Sequence, residues 1–293
     1  MCFLQIFHFK PFFIVFKALL AIAKGKRCEA SLWFFPATFT RSNGTVNAGF
    51  VVYGFVKDFM RSTPNKRTTC NIVKSVLSTC FYCSLIIFPF FAVNLSAYLY
   101  HCADSSHDLS CQNKPIWCCD FPPSIYGHVQ KRVWGLGLFS YYQLRKTPNF
   151  VIAAPTAILC SYSVYVYLRA RSHEINSIGF IDEKTPTRKT QIVPYLYTKN
   201  VFCYAAHCVF LMIFSLLFMH VEVMTRLIFS SSPFLYWAVA SILHDDFRAS
   251  DGRITLSFQT WNEISLQSKF CLTYFAMYFI IGTAAHSNFL PWT

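Results

Sequence analysis

Arg226 is the side chain of this sequence best suited to chemistry. It follows Thr225, lies four residues after Glu222 and six after His220, and stands at the edge of long apolar stretches. An ionisable group at membrane depth is costly to place there, so it marks a functional position by default. A guanidinium presents a rigid fork of donors that matches phosphate oxygens. The competing reading is a Glu222–Arg226 pair at i,i+4 on one helix, and both can hold at once. Arg226, His220 and Thr225 are therefore candidate binding groups for a phosphate-bearing substrate.

Other constellations carry less. His207 and His220 are 13 residues apart in one apolar stretch, about 20 Å along a helix. That spacing stacks two haems, but no second helix offers a matching pair. Cys80-Phe81-Tyr82-Cys83 sits inside an apolar run, where cysteines pack as small hydrophobes. His101, Cys102, His107 and Cys111 fit no standard zinc spacing. Lys131-Arg132 and Arg145-Lys146 bracket an aromatic run, suited to an interfacial helix that holds an anionic lipid headgroup or snorkels its cations. No Gly-rich nucleotide loop, nucleophile elbow or H-E-x-x-H occurs. No metal and no cofactor are expected, and a soluble nucleotide sugar is an unsuitable donor. A lipid-linked donor needs only a membrane groove, a phosphate clamp and a carboxylate base.

The elements that position these residues are membrane helices. The 293 residues are 54% hydrophobic and 13% charged, against about 25% charged in soluble domains, and mean hydropathy is +0.37. That much apolar surface predicts an all-α, polytopic transmembrane bundle forming a single multi-spanning domain. Spans near the required length of about 20 residues are expected at 3–23, 45–60 joined to the segment before it, 73–100, 150–169, 200–220 and 270–288, with 226–243 interrupted by Ser230-Ser231-Ser232-Pro233. The net charge of +13 fits cytosolic Lys and Arg, and no nucleic-acid module accompanies it.

Loop charge sets the sidedness. Lys57, Arg61, Lys66, Arg67 and Lys74 face Asp58 alone, and loop 169–199 carries six basic residues against three acidic ones. Both read as cytosolic. Loop 101–148, a short turn at 220–226 and the C-terminus then share the lumenal side. Four of the 13 cysteines, Cys102, Cys111, Cys118 and Cys119, fall in that loop, where they allow three pairings. Asn94-Leu95-Ser96 matches a glycosylation triplet within a span.

Four blocks carry a family resemblance. They are Thr40-Arg41-Ser42-Asn43-Gly44; Trp117-Cys118 with Ile125-Tyr126, Gln130, Trp134, Tyr141-Tyr142 and Pro148-Asn149-Phe150; His207 with Met219-His220-Val221, Thr225-Arg226 and Pro233; and His286 with Asn288-Phe289-Leu290-Pro291-Trp292-Thr293. Together they resemble the GPI mannosyltransferase II family. The resemblance implies a GT-C-type enzyme in the endoplasmic reticulum membrane. It would transfer the second mannose, α1,6-linked, from dolichyl phosphate mannose to the GPI precursor glycolipid, and it adds Arg41 to the substrate-binding candidates.

One departure is chemical. The family's Trp-Asp motif is missing from this sequence, and Lys131 stands where the family tends to have an acid. Asp104, Asp108, Asp120 and Glu222 are the acids on the expected lumenal side, and Asp120 becomes a substitute candidate for the base. The chain is accordingly expected to be an N-terminally truncated family member, inactive by itself. A non-catalytic membrane subunit or channel built from the same helices is the alternative.

The sidedness is open to direct measurement. Glycan-acceptor tags placed after Thr293 should be glycosylated and tags beside Asp182 should not; the opposite pattern would reverse the topology.

Overall fold

A computed structural model describes residues 2–62, 68–103, 114–171, 201–249, 261–262 and 264–287. Asp104, Asp108, His107, Cys111, nearly all of the basic loop 169–199 and the terminal block 288–293 lie outside the described residues, as does the side chain of His286. Among the described residues every regular element is helical and no strand occurs. The chain divides into two compact units, Met1–Gly137 and Leu138–Thr293.

The first unit holds α1 (Cys2–Ala23), α2 (Arg27–Thr40), α3 (Ala48–Arg61) and α4 (Thr69–His101). Helix α2 is the segment before 45–60, and the turn Ser42–Asn47 separates it from α3. Gly25, at φ +74°, makes the tight turn from α1 into α2. A left-handed residue there closes a helix end, and glycine does so without a Cβ clash. Ala18, Leu19 and Ala21 of α1 and Ala30, Phe34 and Ala37 of α2 are buried; small side chains let the two backbones approach closely. Phe34 stacks on Phe50 of α3 at 6.4 Å and Phe35 on Phe88 of α4 at 6.5 Å.

Asn94 ties α4 to the turn Ile125–His128. Its Oδ1 accepts from Ser124 Oγ at 2.9 Å and Tyr126 N at 3.3 Å, and its Nδ2 donates to Phe90 O at 2.9 Å. The nitrogen of that glycosylation triplet is thus engaged inside the fold. Cys102 pairs with Cys118 in a disulfide, which removes Cys102 from any zinc set. Among the described residues no group of three His, Cys, Asp or Glu side chains is arranged to hold a metal.

The second unit holds α5 (Thr147–Ala170), α6 (Phe202–Phe218), α7 (Val221–Ser231), α8 (Phe234–Ala249) and α9 (Leu266–Ser287). Helix α5 buries Ala153, Thr156, Cys160, Ser163 and Tyr167 along one stripe. Val151, Ile158 and Tyr165 remain exposed on the same helix, as expected of a lipid-facing surface. Helices α6 and α7 correct the single-helix reading of His207 and His220. Met219 (φ −114°, ψ 173°) and His220 (φ −69°, ψ 124°) are extended, so α6 ends at Phe218 and His220 caps α7. The two histidines are therefore not on one helix. The segment expected to be a turn at 220–226 is helical from Val221 onward. After Ser231 the axis bends by 77° into α8; Pro233 lacks an N–H and its ring opposes continuation.

Among the described residues, Thr69–His101 and Leu144–Ala170 are long and apolar enough to cross a membrane, and the bent pair α7–α8 qualifies as a broken third span.

Gly44, in the turn after α2, has no room for a side chain. A Cβ there would meet Thr38 Cα at 2.6 Å and Thr38 N at 2.7 Å, whereas Gly49 faces nothing within 4 Å. Gly44→Ala should cost about 1–3 kcal/mol through backbone overpacking. Gly49→Ala, inside α3, should be neutral or slightly stabilising. Thermal unfolding of the two variants in lipid nanodiscs checks this; equal melting temperatures would refute the close approach.

Candidate functional site

The polar centre of the second unit is built on the first turn of α7. Glu222 is half-buried there. Its Oε1 accepts from the Tyr141 hydroxyl and from Asn149 Nδ2. Asn149 Nδ2 also donates to the Tyr141 oxygen at 2.6 Å. Glu222 and Arg226 form no ion pair; among the described residues the ion pairs are Lys26–Glu29 and Arg27–Asp58. In place of the i,i+4 partner, two donors from elsewhere in the chain meet the carboxylate at Oε1.

Tyr141 is brought to Glu222 by the segment before α5. Phe139 adopts a left-handed backbone, φ 54°, and donates its N–H to Leu217 O at the end of α6 at 2.9 Å. Tyr141 is 4% exposed. Burial first, and then its hydrogen bond to Glu222, push the phenol up to about 12, so it stays protonated and remains a donor. The ring of His220 stacks on the Tyr141 ring at 4.7 Å, and Lys146 Nζ lies 4.0 Å from its centroid, within cation–π range. One phenol therefore holds a carboxylate at its hydroxyl, and an ammonium and an imidazole against its ring.

A second layer lies deeper. Thr225 is fully buried, with its Oγ1 3.2 Å from Thr156 Oγ1, which in turn lies 2.5 Å from the Tyr274 hydroxyl. These contacts join α7, α5 and α9. Thr225 is turned inward, toward Thr156. Arg226, the next residue, is half-buried and lies within Coulombic reach of Tyr278 on α9.

The remaining candidates belong to the first unit. Arg41 is half-buried at the extended cap of α2. Asp120 is exposed, two residues beyond the turn Ile116–Cys118. Thus His220, Thr225 and Arg226 gather on α7, while Arg41 and Asp120 stand in a separate unit. Tyr141, Asn149 and Lys146 complete the polar centre. Composition gives them no chemical signal, since an aromatic and an amide before a helix are ordinary. Only the block resemblance marks Tyr141 and Asn149, and the basic pair Arg145-Lys146 marks the lysine.

Residues 7–293 match the family described as Mannosyltransferase (PIG-V). The chain is 29% identical over 321 residues to GPI alpha-1,6-mannosyltransferase 2 of Mus musculus, covering 96% of the chain and 65% of that relative. It is 28% identical over 320 residues to the protein of the same name from Homo sapiens, covering 96% and 64%. GPI mannosyltransferase 2 of Drosophila melanogaster is 22% identical over 277 residues, covering 86% and 55%. The chain thus spans about 65% of the length of the mammalian relatives it matches. No solved structure matches it. With the match running over nearly every residue and including all the side chains of the polar centre, the chain belongs to the mannosyltransferase (PIG-V) family.

Proposed function

We propose that this chain is part of a GT-C-type, multi-pass enzyme of the endoplasmic reticulum membrane. It transfers the second mannose, α1,6-linked, from dolichyl phosphate mannose to the GPI precursor glycolipid. The observation that carries the reading is the match of 96% of the chain to proteins named GPI alpha-1,6-mannosyltransferase 2. The apolar helices, which suit a lipid-borne donor and acceptor, support it further.

The transfer breaks a bond between the sugar and a dolichyl phosphate, so negative charge on the departing phosphate must be stabilised. Arg226 supplies the donor fork for that phosphate, and His220 and Lys146 stand by as further cation or hydrogen-bond donors. Glu222 is already hydrogen-bonded by Tyr141 and Asn149. Its role is positional: it fixes the phenol, and the phenol fixes His220 and Lys146. Thr225, clasped to Thr156, sets the rotation of α7 and hence the direction of Arg226.

A chimera tests this, with the present chain replacing the matched region of the mouse relative in cells that lack the second GPI mannosyltransferase. Surface GPI-anchored protein, read by flow cytometry, should be restored. Arg226→Ala should lower transfer by about 10–100-fold, the worth of a charge-assisted contact, and Arg226→Lys should recover only part, because a point charge replaces a fork. Full display by Arg226→Ala at equal protein level would remove Arg226 from the phosphate site.

The positional role makes a separate prediction. Tyr141→Phe leaves Glu222 with Asn149 alone and should lower stability by about 1.5–3 kcal/mol. In a double-mutant cycle with Glu222→Gln the two losses should be far from additive. Additive losses would mean that the hydroxyl and the carboxylate do not depend on each other.

A further inference from the structure

The first unit contains a second polar site that the transfer reaction does not use. Helix α4 is apolar enough to cross a bilayer. Over its first half, however, Asn71, Lys74, Ser75, Ser78, Thr79 and Tyr82 recur at intervals of three and one. At that spacing they form one polar face about 16 Å long. The residues between them are Ile72, Val73, Val76, Leu77, Cys80 and Phe81, of which Val73, Leu77 and Phe81 are 50%, 64% and 64% exposed. The apolar face is therefore the outward one. The polar face lines an open groove of about 950 Å³, whose other walls are the start of α2 and Asp58 of α3.

The cations at this groove are not equivalent. Arg27 is committed to the structure. It donates to Gly54 O at 2.9 Å and pairs with Asp58, and glycine at 54 leaves it room, since a Cβ there would sit 3.1 Å from Arg27 Nε. Lys26 pairs with Glu29 at 3.2 Å. Lys74 has no ion pair or hydrogen bond among the described residues. Three cations against two carboxylates leave the lining with one surplus positive charge, carried by Lys74. Ser75 follows Lys74 directly, and Ser78 and Thr79 lie about one turn further into the bilayer. A hydroxyl-lined wall below a free ammonium suits a ligand with a phosphate at one end and hydroxyls or ester oxygens at the other.

We propose that this groove binds a phosphate-bearing polar headgroup, with Lys74 meeting the phosphate and Ser78 the oxygens beyond it. A volume near 950 Å³ lies in the range of small-ligand sites. The lipid-facing side of the same helix lets a headgroup enter while its chains stay in the membrane. A soluble phosphate ester carries the same chemistry and is distinguished below.

The test uses the full chain in phosphatidylcholine nanodiscs, with spin-labelled phosphatidic acid as the probe and spin-labelled phosphatidylcholine as the reference. The motionally restricted fraction should be several-fold larger for phosphatidic acid. Lys74→Ala should weaken its association about tenfold, and Lys74→Arg should retain most of it. Ser78→Val, which keeps the charge, should weaken it less. Lys269→Ala removes the same charge in the other unit and should change nothing. Glycerol 3-phosphate is added as the soluble competitor. Displacement of the label by it supports a phosphate site fed from solution, and failure to displace supports one fed by lipid. Equal restriction of the two lipids would overturn the proposal, as would equal effects of Lys74→Ala and Lys269→Ala.

Discussion

A half-buried carboxylate at the head of a helix in an apolar bundle cannot be left bare, because an uncompensated charge there costs several kcal/mol. The arrangement around Glu222 follows from that constraint. Tyr141 can answer it because burial keeps its phenol protonated up to about 12, so it donates and does not compete for charge. Asn149 bridges the phenol and the carboxylate, which fixes the ring as well as its hydroxyl. A fixed ring offers a π face, and Lys146 and His220 settle against it at 4.0 and 4.7 Å. The left-handed Phe139, held to Leu217, is the local strain that delivers Tyr141 to this place.

The same rule extends through both units. Thr38, Ser163 and Ser215 return their hydroxyls to the carbonyls four residues earlier, at 3.2, 2.7 and 2.7 Å. In water these groups could be solvated; inside lipid they must find protein partners. Asn94 does so twice over, as acceptor and as donor. Thr156 does so across three helices. The polar face of α4 follows the rule in part: Thr79 returns its hydroxyl to Ser75 O at 2.8 Å, and the face borders the groove beside α2.

The sequence made the long apolar elements legible, and particular residues explain where it did not suffice. Helix α4 reads directly from hydropathy, as does α5, whose start is marked by Pro148. The bend after Ser231 is legible from Pro233. Helix α2 is harder to see, since Arg27, Glu29 and Pro36 interrupt its apolar pattern, and its stability comes from packing Phe34 and the alanines against α1. The break between His207 and His220 has no local signature, as Met219 is an ordinary helix former and its extended backbone is a tertiary outcome. The partner of Glu222 was read by the nearest-neighbour rule, which names Arg226. The actual donors come from 81 and 73 residues away, beyond the reach of any local rule.

The short helix α7 explains why a carboxylate and a guanidinium can share this bundle. Its 11 residues span about 16 Å, roughly half of a hydrocarbon core near 30 Å. It is bounded by extended Met219-His220 on one side and by Ser232-Pro233 on the other. Had α6 run on unbroken, Glu222 and Arg226 would lie within one continuous span, where each charge costs about 2.5–3.5 kcal/mol. The first break instead puts Glu222 in the first turn of a new helix, where the exposed N–H groups favour a negative charge. Beside that break the Phe139 N–H bonds Leu217 O near the end of α6, and Tyr141 two residues on meets Glu222. Arg226 follows one turn later, beyond the carboxylate's hydrogen-bond partners and free of an ion pair with it. The break in the helix thus separates the two charges: Glu222 is held by Tyr141 and Asn149 at the polar head, and Arg226 stands one turn on without an ion pair to it.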